Sequence, residues 1–179
     1  LDSLYSEAAA GRDSGKRAWL IVVAHPRIPR FAGRLAREEA RDVLTKTVGL
    51  ALTYAGRGGI HPLESVDCDN PRPGLRRWVA MNAATGERLI WKEAWMSIHY
   101  DGSVTIAAAV GGHRTRNDGY LDGWQVESAA IECAIADLMA LVRNMAEATG
   151  NDEYDVRLGI EWTGGQPLTI LTKDNMGFT

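Results

Sequence analysis

The four histidines, His25, His61, His99 and His113, are the residues of this sequence best suited to proton transfer or metal binding. They form neither a His-x-His pair nor a His-Glu-x-x-His motif, so their spacing predicts no metal site. The sequence also contains no Gly-x-Ser-x-Gly elbow and no Gly-x-x-x-x-Gly-Lys-Ser/Thr loop, the signatures of many hydrolases and of P-loop nucleotide sites. We therefore assign no catalytic residue and no cofactor and do not expect an enzyme. A small hydrolase that uses His25 or His99 is kept as an alternative.

Aromatic and basic residues near two of the histidines suggest a ligand-binding surface. Trp91, Trp95 and His99 share one face of a predicted strand, although the same pattern fits a face covered by a helix or by another subunit. Residues 111–123 connect a strand to a helix and carry His113 with two arginines, which suits anion binding near a helix N-terminus. A surface loop has the same composition. The candidate ligand-binding residues are Trp91, Trp95, His99, His113, Arg114 and Arg116.

Hydrophobic periodicity predicts the elements that would position these residues. One helix is expected from about Arg34 to Gly49 or Tyr54, and a second from Trp124 to Thr149 with Asp122 as its cap. The predicted strands are 18–24, 75–82, 88–100, 103–110, 154–162 and 168–172. The order β-α-β-β-β-α-β-β predicts an α+β fold in two layers, with a mostly antiparallel sheet of about six strands and two main helices packed on one face.

The register of the central hairpin follows from its apolar rows. A three-residue loop, Tyr100-Asp101-Gly102, places Ile98 opposite Val104 and Met96 opposite Ile106 on one face. A two-residue loop would split the two rows onto opposite faces. The three-residue loop also puts glycine at the left-handed position that a type I turn with a bulge requires.

Composition limits the domain count, the compartment and the membrane context. The chain has 179 residues and a net charge of −3, which suits one globular domain at 18–179 preceded by a lead-in or linker at 1–17. The basic first half and acidic second half do not require a nucleic-acid partner. Two distant cysteines form no disulfide framework, so a cytoplasmic protein is expected. No apolar run is long enough to predict a transmembrane helix.

Several segments together resemble a known group of proteins. They are the strand run from Arg17 to Val23 closing on Pro26, the segment 75–79 (Leu-Arg-Arg-Trp-Val), the hairpin at 99–103 (His-Tyr-Asp-Gly-Ser), and the helix from Val126 to Ala148. They resemble the C-terminal region of actinobacterial proteins that carry an N-terminal Schlafen/AlbA-type DNA-binding domain, often labelled ATP-binding or helix-turn-helix. The resemblance implies that a DNA-binding module precedes Leu1 and that nucleic acid is bound only through it. It supplies no active-site residue.

These observations lead us to expect a non-catalytic self-association or sensing domain of a cytoplasmic bacterial DNA-binding regulator. The Trp91/Trp95 face and the open edges of an antiparallel sheet favour a homodimer. The alternatives are a small-molecule binding module, with a pocket between the 56–74 and 111–123 segments and the sheet, and the small hydrolase.

Overall fold

The computed structural model describes residues 1–29, 33–56, 60–82, 93–112 and 121–172. Its helices are α1 (Asp2–Ala9), α2 (Arg37–Tyr54) and α3 (Ser128–Thr149), with a 3₁₀ turn at Pro62–Ser65. Its strands are β1 (Trp19–Pro26), β2 (Arg72–Gly74), β3 (Arg77–Met81), β4 (Ala94–His99), β5 (Val104–Ala109), β6 (Gln125–Glu127), β7 (Tyr154–Glu161) and β8 (Thr169–Leu171). Among these described residues, no helix has both the length and the apolar character needed to cross a membrane.

The main sheet confirms the predicted α+β class. Its six strands lie in the order β2-β3-β4-β5-β1-β7, and all the pairings are antiparallel. β1 lies between β5 and β7 and is almost wholly apolar, which suits a strand buried on both faces. Leu20 and Val22 point to one face of the sheet, and Trp19, Ile21 and Val23 point to the other.

The two long helices cover the first of these faces, as predicted. Leu44 of α2 and Leu141 of α3 are fully buried in the same apolar cluster as Leu20 and Val22. Ala130 and Ala134 are small and completely buried, so the backbone of α3 can approach the sheet closely.

Helix α1 covers the second face, within the segment predicted as a lead-in or linker. Tyr5 is buried against Trp19 and Ile21, and its hydroxyl donates to Glu161 Oε1 at 2.7 Å. Burial and this hydrogen bond raise the pKa of Tyr5 to about 12. The tyrosine ring lies directly on Gly159, where a Cβ atom would meet it. The glycine in β7 therefore leaves the space that α1 needs to pack on the sheet.

The predicted β4–β5 hairpin register is confirmed. Ile98 pairs with Val104 and Met96 with Ile106. Gly102 has a φ of +93°, and its amide donates to the carbonyl of His99 at 3.0 Å. A residue with a Cβ atom is strained in this conformation, which explains the glycine at this position.

The predicted start of the second long helix was wrong. Residues 125–127 form β6, which pairs in parallel with β8, so α3 begins at Ser128 and follows Glu127. Asp122 therefore does not cap the helix. Its carbonyl instead accepts hydrogen bonds from Gly112 and Gln125. The strand predicted at 168–172 consequently lies outside the main sheet, and β2 supplies the sixth strand.

Candidate functional site

Two of the candidate ligand-binding residues lie on the face of the sheet that α1 covers. Trp95 and His99 are both in β4, four residues apart, and both side chains are half-buried. The other four, Trp91, His113, Arg114 and Arg116, lie outside the described residues.

A small cavity lies between α1 and this face of the sheet, and we call it the α1 cavity. It has a volume of about 60 Å³. Cross-strand pairing explains the space: Val79, Ser97 and Thr105 are neighbours across β3, β4 and β5, and their short side chains lie between larger ones. The polar side chains that line the cavity are Glu7, Arg12, Arg77, Ser97, His99 and Thr105.

Trp95 forms one wall of the cavity and is covered by Arg12. The Arg12 guanidinium lies 3.9 Å from the centroid of the Trp95 ring, a cation–π contact. Trp95 also packs against Trp19, with ring centroids 5.7 Å apart. Burial lowers the pKa of Arg12, but arginine stays charged at neutral pH. Trp95 is thus a wall under α1, and the open aromatic face expected for a dimer contact is not found at this residue.

Two side-chain nitrogens at the cavity are buried and have no hydrogen-bond partner among the residues that the structure describes. They are His99 Nε2 and Arg77 Nε. Burial lowers the pKa of His99 and outweighs the opposing effect of the Asp101 carboxylate, which favours the neutral imidazole. Native proteins rarely leave such groups unpaired, and each unmet bond costs about 1–3 kcal/mol. Arg77 Nε is always a donor and lacks an acceptor here, and His99 Nε2 lacks one in the tautomer that carries the proton on Nε2.

The side chains that line the cavity carry more positive than negative charge, and Glu93 outside the lining acts on Arg12 from a distance. Arg77 Nη1 forms an ion pair with Glu7 of α1. Arg12 donates from Nε to the carbonyl of Ala8 at 3.3 Å, which leaves its charge without a carboxylate in direct contact among the described residues. The side chains lining the cavity thus carry two positive charges against one negative charge.

His25 does not complete a catalytic triad. Its Nδ1 lies 2.7 Å from Ser103 Oγ and 3.9 Å from Asp101 Oδ2. In a triad the hydroxyl and the carboxylate occupy opposite nitrogens of the imidazole, whereas here both approach the same one. Ser103 is also buried, so this geometry does not suit nucleophilic attack.

His61 and Asp137 form a buried pair away from the α1 cavity. His61 Nδ1 lies 2.6 Å from Asp137 Oδ1, and Nε2 lies 2.7 Å from the carbonyl of Ala55. The other carboxylate oxygen accepts from the amide of Leu63 at 2.8 Å. The pair joins the end of α2, the 3₁₀ turn and the middle of α3, which is a structural role.

The α1 cavity uses residues that sequence analysis did not select. Glu7 and Arg12 belong to the segment treated as a lead-in, and Arg77 was seen only as part of a strand. Arg77 lies opposite His99 in the β3–β4 strand pairing, so a predicted β3–β4 register would have identified Arg77 as a neighbour of His99. Within the described residues, no group of three or more histidine, cysteine, aspartate or glutamate side chains is arranged to hold a metal ion.

The pocket expected between the 56–74 and 111–123 segments differs in position from the α1 cavity. Leu63, Val66 and Cys68 of the first segment pack in the apolar cluster on the opposite face of the sheet. Much of the second segment lies outside the described residues.

Comparisons of this chain with protein-family models, with curated proteins and with solved structures found no match.

Proposed function

We propose that this chain is a sensing domain that binds a small oxyanion, such as a carboxylate or a single phosphate group, in the α1 cavity. The observation that carries the proposal is the pair of unpartnered nitrogens, His99 Nε2 and Arg77 Nε, buried at one small cavity. An oxyanion accepts several hydrogen bonds at once and matches the geometry of an arginine side chain.

The charge and size of the cavity favour this class of ligand. Two arginines against one glutamate give an excess of positive charge, and the Ser97 and Thr105 hydroxyls add further donors. A volume of about 60 Å³ holds a few water molecules or one small anion. Pockets for drug-sized ligands are typically about 300–1,000 Å³, so a whole nucleotide is a poor fit.

The position of α1 suggests how binding becomes a signal. The helix contributes Leu4, Glu7 and Ala8 to the cavity wall, so a bound anion would touch both the helix and the sheet. A ligand stabilises the state that binds it, and here that state has α1 packed on the sheet. The resemblance described above supplies the wider proposal, in which the domain works within a cytoplasmic bacterial DNA-binding regulator and reports occupancy of the cavity.

Thermal unfolding in the presence of simple anions tests the proposal. Sodium acetate and sodium phosphate are titrated separately at an ionic strength held constant with sodium chloride. We expect a saturable rise in Tm with one of the two anions. The anion that raises Tm distinguishes a carboxylate ligand from a phosphate ligand. A change in tryptophan fluorescence should accompany it because Trp95 lines the cavity.

Two histidine variants complete the experiment. His99→Phe keeps a ring of similar size but removes Nε2, and should abolish the saturable shift. His25→Phe is the matched control, because His25 is a half-exposed histidine that does not line the cavity, and it should respond like the wild type. Absence of a saturable response to both anions, or an unchanged response in His99→Phe, would overturn the proposal.

A further inference from the structure

We infer that β7 is a dimerisation edge, at which a second copy of this chain adds its own β7 in antiparallel orientation centred on Val156. The inference is independent of the α1 cavity and rests on the backbone, the exposed side chains and the charges of β7.

The outer backbone groups of β7 form no ladder with any described strand. The amide of Arg27 donates to the carbonyl of Glu153 at 3.0 Å, and these two residues continue the β1–β7 register. In an antiparallel ladder the hydrogen-bonded pairs alternate, so the odd-numbered residues of β7 bond to β1. The N–H and C=O groups pointing away from the sheet then belong to Tyr154, Val156, Leu158 and Ile160. No described strand pairs with this side of β7.

β7 lacks much of the usual protection of an edge. Natural edge strands are kept short or carry proline or charged side chains, as β2 does with three residues and Pro73. β7 has eight residues and no proline, and its charged residues, Asp155, Arg157 and Glu161, all lie on the α1 face of the sheet. Val156 and Leu158 are 48% and 53% exposed, a large fraction for branched apolar residues in a strand.

An apolar surface continues from this edge onto α3. Met139 is 57% exposed and lines, with Val142 and Val156, an open groove of about 660 Å³ between α3 and β7. A strand added to β7 would place its own apolar side chains beside this groove. Backbone pairing and apolar burial would thus occur together.

The charge pattern of β7 selects a second copy as the partner. A two-fold axis through Val156 places Asp155 of each protomer opposite Arg157 of the other. The same axis places Leu158 opposite the partner's Tyr154, on the face that carries the helices. Centring on Arg157 would put two arginines opposite each other, and opposed like charges destabilise a strand pair.

The two charged residues already form ion pairs within one chain. Asp155 accepts from Arg27 at 3.0 Å, and Arg157 pairs with Asp2. All these side chains are substantially exposed, so the crossing pairs would extend an existing network without burying an isolated charge.

Sedimentation equilibrium across a wide concentration range tests the inference, with variants at an exposed apolar position. The wild type should show a concentration-dependent monomer–dimer equilibrium. Leu158→Lys should shift it to monomer, because a lysine on an edge strand opposes pairing. Leu75→Lys is the control, since Leu75 is 87% exposed and lies in the turn between β2 and β3, and it should leave the dissociation constant unchanged.

A charge swap tests the register. Asp155→Arg and Arg157→Asp should each weaken the dimer by roughly tenfold or more, because each converts two attractive crossing pairs into repulsive ones. The double variant restores opposite charges and should recover most of the lost affinity. A wild type that stays monomeric, a dimer insensitive to Leu158→Lys, or a swap that recovers nothing would overturn the inference.

Discussion

Replacing Asp137 by alanine should cost the fold about 3–5 kcal/mol, the usual result of removing one partner of a buried pair. His61 and Asp137 are 1% and 0% exposed. The substitution leaves the His61 ring nitrogen and the Leu63 amide without their bonds of 2.6 Å and 2.8 Å. At about 1–3 kcal/mol for each unsatisfied buried group, the loss is roughly 2–6 kcal/mol. That is a large part of a total stability of about 5–15 kcal/mol.

Asp137→Asn is the matched variant, because an amide can satisfy the same groups. Its oxygen can accept from the Leu63 amide, and its nitrogen can donate to Nδ1 of a neutral His61, whose Nε2–H still reaches the Ala55 carbonyl. We therefore expect Asp137→Asn to cost much less than Asp137→Ala. Urea unfolding followed by both circular dichroism and tryptophan fluorescence measures the two losses, and coincident transitions justify the free energies.

The pH dependence of stability provides a second test of this pair. Burial alone would lower the pKa of His61, but its hydrogen bonds to Asp137 and to the Ala55 carbonyl outweigh burial and raise it. A raised pKa in the folded state adds stability below the unfolded value of about 6.5, which is lost as pH rises through the folded value. Asp137→Asn should remove this dependence of stability on pH. The reasoning fails if Asp137→Ala lowers the free energy of unfolding by less than about 1 kcal/mol, or if both variants lower it by the same amount.

Two further predictions concern the face beneath α1. Burial lowers the pKa of His99 in the folded state, so the unfolded chain takes up a proton first as the pH decreases. The free energy of unfolding should therefore fall as the pH decreases from about 6.5 towards the folded pKa. Urea unfolding at several pH values should show that His99→Gln lacks this pH dependence, and an unchanged pH profile in the variant would contradict the prediction. Gly159→Ala places a Cβ atom against the Tyr5 side chain and should cost about 1–3 kcal/mol by overpacking, with faster amide exchange in residues 2–9. In the control variant Gly165→Ala the new Cβ atom faces open space, so amide exchange in residues 2–9 should stay unchanged. The same exchange rates in both variants would argue against the packing of α1 on the sheet.

Local patterns predicted the central hairpin well because its determinants lie within a few residues of each other. The apolar rows ending at Ile98 and starting at Val104 permit one register, and Gly102 supplies the left-handed turn residue. The same alternation brought Trp95 and His99 to one face, so the core of the candidate site was visible in the sequence.

The features that the sequence did not indicate depend on contacts between distant segments. α1 has eight residues and one buried side chain, Tyr5, which is too weak a periodic signal to predict packing. The hydroxyl of that residue bonds to Glu161, 156 positions away. Residues 124–127 fit a helix or a strand equally well by hydropathy, and their pairing with β8 decides the outcome. Arg12 and Arg77 reach the α1 cavity only through these tertiary contacts.

The central position of β1 has a consequence for synthesis of the chain. Its residues 19–24 are fully apolar and buried, yet the nearest pairing residue in the sequence, Val104, comes roughly 80 positions after Ala24. At about 5–20 residues per second, a ribosome leaves this segment without a strand partner for roughly 4–16 s. A six-residue apolar run without proline or charge is prone to pair with other chains. Residues 19–24 are therefore the segment of the nascent chain most exposed to pairing with other chains until β5 has emerged.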